Sequence, residues 1–388
     1  MKKRILHITH GFYPNKGFEV YLKNLINNLP EYNHYVTVFP NKNNDIGLSS
    51  KVNVIEISSL NDVKNIVDTF DIKIVNIHWT GAEALNSDAY LLQIKDKEYT
   101  AYNNTSKYPD DIDNNPYGYV NIPYLWETYI ETGNIINVTY PCLKSVKIKE
   151  KIVNPNRPRF IITSHSDFKL PSYLDFPVID KIISVSKKSM FKQLHVNTQH
   201  EVIYNGVPDE IPDNVLQKSI KRKSQDHKKL KAVWVGMLAK YDETIYQVIK
   251  ENKEINELYD FFYLGTGTLD ENPLSNHHFL GEIPHKKVLD FISDCDVFLY
   301  PSSIDSFGIA LVEAMSLGLM CITSKEVEEV IFNSGLICKS KKDYLNNLLS
   351  VSKNKSAKFI YGSKAIDRVK ENFVLSKMIE SYKKVFDL

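Results

Sequence analysis

The sequence lacks any excess of one charge. Forty-eight Lys and Arg residues stand against 47 Asp and Glu residues over 388 positions. That balance argues against nucleic acid as an obligate partner, because a phosphate backbone demands a basic face. Long apolar runs are also missing. The first, Ile5-Leu6-His7-Ile8, is too short for the core of a signal peptide. Nothing approaches the ~18 continuous apolar residues of a membrane span. Cysteine is scarce: Cys142, Cys295, Cys321 and Cys338 form no C-x-x-C pair. The last three lie in apolar runs that read as core, so reduced thiols and a cytoplasmic setting are expected. There is no G-x-S-x-G element, no zinc-type His/Cys spacing and no short-period repeat. Asp110-Asp111-Ile112-Asp113 sits among turn-forming residues and reads as a solvated loop, so no metal site is expected.

What is present is alternation. A chain of 388 residues exceeds one ordinary core, so two domains are expected. Residues 5–9 read as a strand; Phe18, Leu22, Leu25 and Leu29 then recur at helical spacing, and Pro30 stops them. Residues 35–39, 52–57 and 72–77 are strand-like runs bounded by turn residues. Strands separated by helices imply parallel βαβ units. Between about Trp79 and Pro158 the pattern fails; an insertion with some helix near residues 122–131 is expected. The basic stretch 217–231, with Lys221-Arg222-Lys223, reads as a solvated linker, with contact to anionic lipid head groups as the alternative. Strands at 232–235, 261–264, 297–300 and 320–323 then alternate with helices at 243–250, 285–293 and 307–317. Two successive doubly wound units result. Such units facing each other make a cleft outside the carboxyl ends of their strands, where ligands bind.

The strongest chemical signal is the run from Tyr300 to Ala314. A strand ends at Pro301 and a helix is expected to begin near Ser306. Its first turn would offer free N–H groups and the positive end of the helix dipole to an anion such as a diphosphate. Gly308 permits close approach to the backbone. Asp305 would bind sugar hydroxyls or simply cap the helix. Glu313, eight residues on, would accept from a ribose diol or be an ordinary surface residue.

This run resembles the E-x7-E motif of the family-four, or group 1, retaining glycosyltransferases, written P-S-x-x-E-x-F-G-x-x-x-x-E-A, with Asp305 in place of the first Glu. Other segments follow in the family's order. His10 to Glu19 is similar to its glycine-rich loop, with Lys16 replacing one glycine and Gly17 retained. Thr163-Ser164-His165-Ser166-Asp167 resembles T-x-H-D, and Val202 to Pro208 resembles V-I-P-N-G-V-D. Val233 to Lys240 resembles F-V-G-R-L-x-x-x-K-G; Gly236 is kept, the Arg is Met237, and Lys240 comes early. Leu264 to Gly267 and His278 to Pro284, including Gly281, match two further segments.

The resemblance implies a GT-B architecture: two facing Rossmann-like, doubly wound domains with a cleft between them. The divisions expected are an acceptor-side domain over 1–205 with the insertion at about 79–158, a nucleotide-sugar-binding domain over 206–365, and a closing helix over 366–388 that returns to the first domain. It implies transfer of a hexose, with retention, from a nucleotide diphosphate-sugar, UDP-sugar favoured, to a saccharide or lipid-linked saccharide in cell-surface glycan synthesis. Glu313 would hold the ribose. Backbone N–H groups at Phe307, Gly308 and Ile309 would hold sugar and diphosphate, and Gly236 and Gly281 would line the pocket. Asp305 would read sugar hydroxyls, Lys240 would screen the leaving diphosphate, and Gly17 and His165 would act from the first domain, His165 beside the sugar, donating to its hydroxyls or orienting the reacting groups. Arg157 and Arg159 are alternative cations for the diphosphate, although a solvent-facing position is expected for both. The insertion aromatics Trp79, Tyr117, Tyr119 and Trp126 would stack on sugars or form a satellite core. No cofactor or metal is expected, nucleic acid is excluded, and peripheral contact with the inner face of the membrane is left open. Two rival readings stand beside this one: an epimerase or hydrolase on the same fold, and a non-catalytic nucleotide-sugar-binding module.

Overall fold

The structure is a computed structural model. It describes residues 2–9, 17–38, 52–57, 60–79, 91–95, 98–102, 127–131, 134–136, 146–147, 150–165, 167, 170, 179–225 and 227–388. The chain divides into two compact units, residues 1–203 with 383–388, and residues 204–382.

The first unit is built on a seven-stranded parallel sheet. Its strands are β1 (Arg4–Ile8), β2 (Asn33–Val38), β3 (Asn53–Glu56), β4 (Ile74–Trp79), and, after six short strands, β11 (Arg159–Ser164), β12 (Lys181–Ser184) and β13 (Gln199–Val202). Their order is β13-β12-β11-β4-β1-β2-β3, so the winding direction reverses between β1 and β4. Central strands buried on both faces need apolar residues throughout. Ile5, Leu6, Ile8, Val75, Phe160, Ile162 and Ile182 are accordingly inaccessible or nearly so. Helices α1 (Gly17–Asn27), α2 (Leu60–Thr69) and α3 (Lys187–Gln193) connect strands. The Ser186 hydroxyl caps α3 by accepting from the Ser189 N–H.

Between β4 and β11 lie β5 (Leu91–Lys95), β6 (Glu98–Tyr102), β7 (Glu127–Glu131), β8 (Asn134–Ile136), β9 (Val146–Lys147) and β10 (Glu150–Val153). They form two antiparallel three-stranded sheets, β5-β6-β9 and β10-β7-β8. The helix expected near 122–131 is therefore corrected over 127–131, which is strand. Thr128, Tyr129 and Ile130 are β-branched or aromatic, and pairing with β8 and β10 satisfies their backbone. Tyr117, Tyr119 and Trp126 lie outside the described residues, as do His10 to Lys16.

The second unit carries six parallel strands: β14 (Leu230–Val235), β15 (Tyr259–Leu264), β16 (His277–Gly281), β17 (Val297–Tyr300), β18 (Met320–Ser324) and β19 (Leu336–Cys338). They run in the order β16-β15-β14-β17-β18-β19. This is a 3-2-1-4-5-6 winding, whose reversal between β14 and β17 marks the crevice where ligands bind in such sheets. Around it lie α4 (Asp213–Ser224), α5 (Glu243–Glu251), α6 (Lys253–Leu258), α7 (His285–Ile292), α8 (Ile309–Ser316), α9 (Glu328–Ile331), α10 (Lys341–Lys353), α11 (Lys355–Asn372) and α12 (Leu375–Asp387). Cys295, Cys321 and Cys338 are buried.

Two further expectations need correction. The basic stretch 217–231 is not a solvated linker: most of it is α4 and the start of β14. Arg222 is buried and donates to Asp296 Oδ2 at 2.6 Å, while Lys358 donates to Oδ1 at 3.0 Å and the Lys231 N–H to Oδ2 at 3.0 Å. Burial works against the Asp296 charge, yet these donors together hold its carboxyl below the usual range. The closing segment 366–388 is not one helix, because α11 ends at Asn372, α12 begins at Leu375, and only Lys383–Leu388 group with the first unit. There Lys3 donates to the Phe386 carbonyl at 2.6 Å and Tyr32 to Asp387 at 2.6 Å. Among the described residues no helix is long and apolar enough to cross a membrane.

Candidate active site

The second unit gathers its chemistry at the strand reversal. After β14 the chain passes Gly236 and a 3-10 turn over Leu238–Lys240. Gly236 and Gly265 follow adjacent strands, with φ of 149° and 143°. A Cβ on Gly265 would sit 1.9 Å from the Gly236 carbonyl oxygen, so the two backbones require glycine to pass. The Leu238 N–H donates to the Thr266 carbonyl at 2.9 Å, and the Asp242 N–H to the Pro301 carbonyl at 3.0 Å. The loop after β14 is thereby stitched to the loop after β17. That stitching sets Lys240 Nζ 2.7 Å from Asp305 Oδ1. Tyr300 Oη donates to Asp305 Oδ2 at 2.6 Å, and the Asp305 N–H donates to Ser302 Oγ at 3.3 Å. Burial acts to raise the Asp305 pKa, but the Lys240 charge and the Lys240, Tyr300 and Ser302 hydrogen bonds outweigh it and hold the carboxyl below its ordinary value. Burial and the same carboxylate push the Tyr300 phenol well up. Asp305 is thus a fixed, ionised carboxylate and not a helix cap.

The cap position belongs to Gly308, which has φ 78° and makes no side-chain cap bond. A Cβ there would lie 2.8 Å from Tyr300 Oη, so glycine is needed both for its conformation and for the hydroxyl against it. The left-handed Gly308 delays the helix, and α8 starts at Ile309 instead of near Ser306 or Phe307. The first N–H groups, from Ile309 on, have no intrahelical carbonyl to bond. The Phe307 side chain is buried core: it stacks on Tyr204 with centroids 6.1 Å apart and meets Phe373 edge-on at 5.4 Å.

Glu313 lies within α8 and is 4% exposed, so it is no surface residue. His285, the first residue of α7, donates from Nε2 to Glu313 Oε1 at 2.8 Å. Oε2 has no hydrogen-bond partner among the described residues. Gly281 closes β16, and its carbonyl accepts from the Gly265 N–H at 2.8 Å. Met237 is 38% exposed, and no cation stands at that position.

The remaining expected residues lie in the first unit. Gly17 is exposed and opens α1. His165 follows β11 and is half-buried; its Nε2 is 3.1 Å from His78 Nδ1. Burial drives its pKa down to about 3, so the ring is neutral at physiological pH. Arg157 pairs with Asp180 through two bonds of 2.7 Å, and Arg159 donates to the Val385 carbonyl at 3.0 Å. Neither is a free solvent-facing cation.

Lys240, Asp305, Gly308 and Ile309 thus form one cluster, with Glu313 further along the same helix. Sequence reasoning missed Tyr300, Ser302 and His285. Tyr300 read only as the last strand residue and His285 as a helix position, because their partners lie across loops that a linear pattern does not join. It also missed His7, His34 and His78 beside His165. Among the described residues no three His, Cys, Asp or Glu side chains converge as metal ligands would.

Residues 214–365 match the family model of the glycosyl transferases group 1. An uncharacterised glycosyltransferase of Methanocaldococcus jannaschii is 25% identical over 271 residues, 62% of this chain and 68% of that protein. The GPI3 subunit of phosphatidylinositol N-acetylglucosaminyltransferase from Saccharomyces cerevisiae is 27% identical over 52% of this chain and about half, 48%, of its own length. Among solved structures, Anabaena HepE in complex with UDP and glucose superposes with a TM-score of 0.66 at 12% identity, covering 99% of each chain. Sucrose-phosphate synthase from Thermosynechococcus elongatus gives 0.67 at 12% identity over 99% of this chain and 98% of its own. Likeness at such identities establishes the fold, two Rossmann-like units of the GT-B type.

Proposed function

From a chain whose second unit carries a group 1 glycosyl transferase domain, we propose a glycosyltransferase that takes a sugar from a nucleotide diphosphate-sugar, UDP-sugar favoured, and gives it to a saccharide or lipid-linked saccharide. The observation that carries the reading is the Lys240–Asp305–Tyr300 cluster beside the start of α8, at the reversal of the second sheet. The N–H groups that open α8 take the diphosphate. Glu313 keeps Oε1 on His285 and offers Oε2 to the ribose. Asp305, fixed by Tyr300, accepts from the sugar hydroxyls while Lys240 turns to the leaving group.

In the step itself the acceptor oxygen bonds to the anomeric carbon and the bond from that carbon to the diphosphate oxygen breaks. The acceptor proton passes to the departing diphosphate, which leaves as the nucleoside diphosphate. Attack from the same face retains configuration without an enzyme nucleophile, and the scheme calls for no metal ion. We assign the acceptor to the first unit and allow it to be presented at a membrane surface.

The Lys240–Asp305 ion pair also favours a second reading, a nucleotide-sugar-binding module without turnover, because the one cation of the cluster is already neutralised. A thermal-shift series with UDP-sugars decides whether the donor binds, since a ligand at one hundred times its Kd adds about 2.7 kcal/mol. Release of free UDP only when an acceptor is added separates transferase from module and from hydrolase. No shift with any nucleotide sugar would refute both readings.

A further inference from the structure

Four histidines of the first unit stand in one line. His34 Nε2 is 3.0 Å from the Leu29 carbonyl oxygen, and His34 Nδ1 is 3.0 Å from His7 Nε2. His7 Nδ1 is 3.1 Å from His78 Nε2, and His78 Nδ1 is 3.1 Å from His165 Nε2. Strand register produces the line. His34 on β2 pairs with Ile5 of β1, two residues before His7. Ile77 of β4 pairs with Ile8, so His78 stands two levels beyond His7, and Thr163 of β11 pairs with His78, two residues before His165. Each step crosses one strand and climbs two residues, which keeps every ring on one face of the sheet. Aromatic rings cover the line: Phe386 lies 6.5 Å from His7, Phe18 5.4 Å from His78, and Tyr21 4.6 Å from His165.

A carbonyl oxygen can only accept, so His34 must carry its proton on Nε2. A neutral ring then has a bare Nδ1, which must receive a proton from His7 Nε2, and the same constraint repeats at His78 and His165. The reverse polarity would set a bare His34 Nε2 against the Leu29 oxygen, two acceptors 3.0 Å apart. We propose that His34, His7 and His78 are positioning residues of a one-way hydrogen-bond relay, which locks His165, at the end of β11, as the Nε2–H tautomer and leaves its Nδ1 as the acceptor. His165 Nδ1 has no hydrogen-bond partner among the described residues, and the Nε2 proton that a donor role would use is committed to His78. All four rings are held neutral, chiefly by burial.

The test is long-range 1H–15N NMR on the full chain with labelled histidine at neutral pH and without nucleotide. His165 is expected to show a pyrrole-type Nε2 and a pyridine-type Nδ1; a pyrrole-type Nδ1 overturns the relay in the wild-type protein, whatever any variant does. His34→Phe removes the anchor at Leu29. Both His165 nitrogens should then move toward the averaged shifts of mixed tautomers, whereas an unchanged His165 overturns the long-range lock.

Discussion

Replacing Lys240 by Met separates a catalytic cation from a structural one. The Lys240 side chain is 39% exposed and that of Asp305 12% exposed, so water and salt screen the pair. A half-exposed ion pair contributes at most about 1 kcal/mol to stability. In the variant the Asp305 carboxylate keeps the bond it accepts from Tyr300, and the Asp305 N–H keeps the bond it donates to Ser302 Oγ. Lys240→Met should therefore lower the unfolding free energy by about 0.5–1 kcal/mol. The leaving diphosphate, by contrast, loses the cation that Lys240 brings to the cluster. Removing one group aimed at developing negative charge slows turnover by roughly 10²–10³, or about 2.7–4 kcal/mol. The assay is UDP release from the UDP-sugar that gives the largest thermal shift, set beside urea unfolding of the same preparation. A small loss of stability with a large loss of turnover is expected. Unchanged turnover, or a stability loss of several kcal/mol with turnover falling only in proportion, would refute the assignment.

Gly308→Ala places a methyl 2.8 Å from Tyr300 Oη at φ 78°; the left-handed backbone alone costs about 1–2 kcal/mol, and circular-dichroism melting should show at least that, with donor affinity falling too. Arg222→Ala leaves a buried Asp296 with fewer donors, so urea titration should report a loss of about 3–5 kcal/mol with donor affinity in the surviving folded protein unchanged. Acid should destabilise the first unit through its histidines. Their folded pKa values lie below the ordinary value of about 6.5, to about 3 for His165, so below that pH the unfolded chain binds protons that the native state refuses. Stability is then fully present above about pH 6.5 and falls below it by up to about 1.4 kcal/mol per pH unit for each such ring; a flat urea midpoint between about pH 7 and pH 5 would contradict this.

The sequence made the alternation of both sheets readable because their core strands are runs of β-branched and other apolar or aromatic residues with turn residues between them, as in Ile74–Trp79 and Val297–Tyr300. It failed over residues 127–131, where Thr-Tyr-Ile suits a strand only once β8 and β10 supply partners. Motif spacing was enough to single out Lys240, Asp305 and Glu313. It did not reveal that the first two pair with each other, or that Glu313 is anchored by His285, 28 residues away. Arg222 looked like one cation in a basic run, and only the helical phase of α4 turns it inward to Asp296 while Lys221 stays exposed. The histidine line has no sequence signature at all. It exists because the registers of four parallel strands step by two.

The central claim is that a nucleotide diphosphate docks at the start of α8. A crystal structure of the protein soaked with UDP tests it most directly. The diphosphate is expected within hydrogen-bond distance of the N–H groups that begin at Ile309, with Lys240 swung from Asp305 toward it and Glu313 Oε2 on the ribose. UDP bound elsewhere, with the Lys240–Asp305 pair intact and α8 uncontacted, would contradict the account.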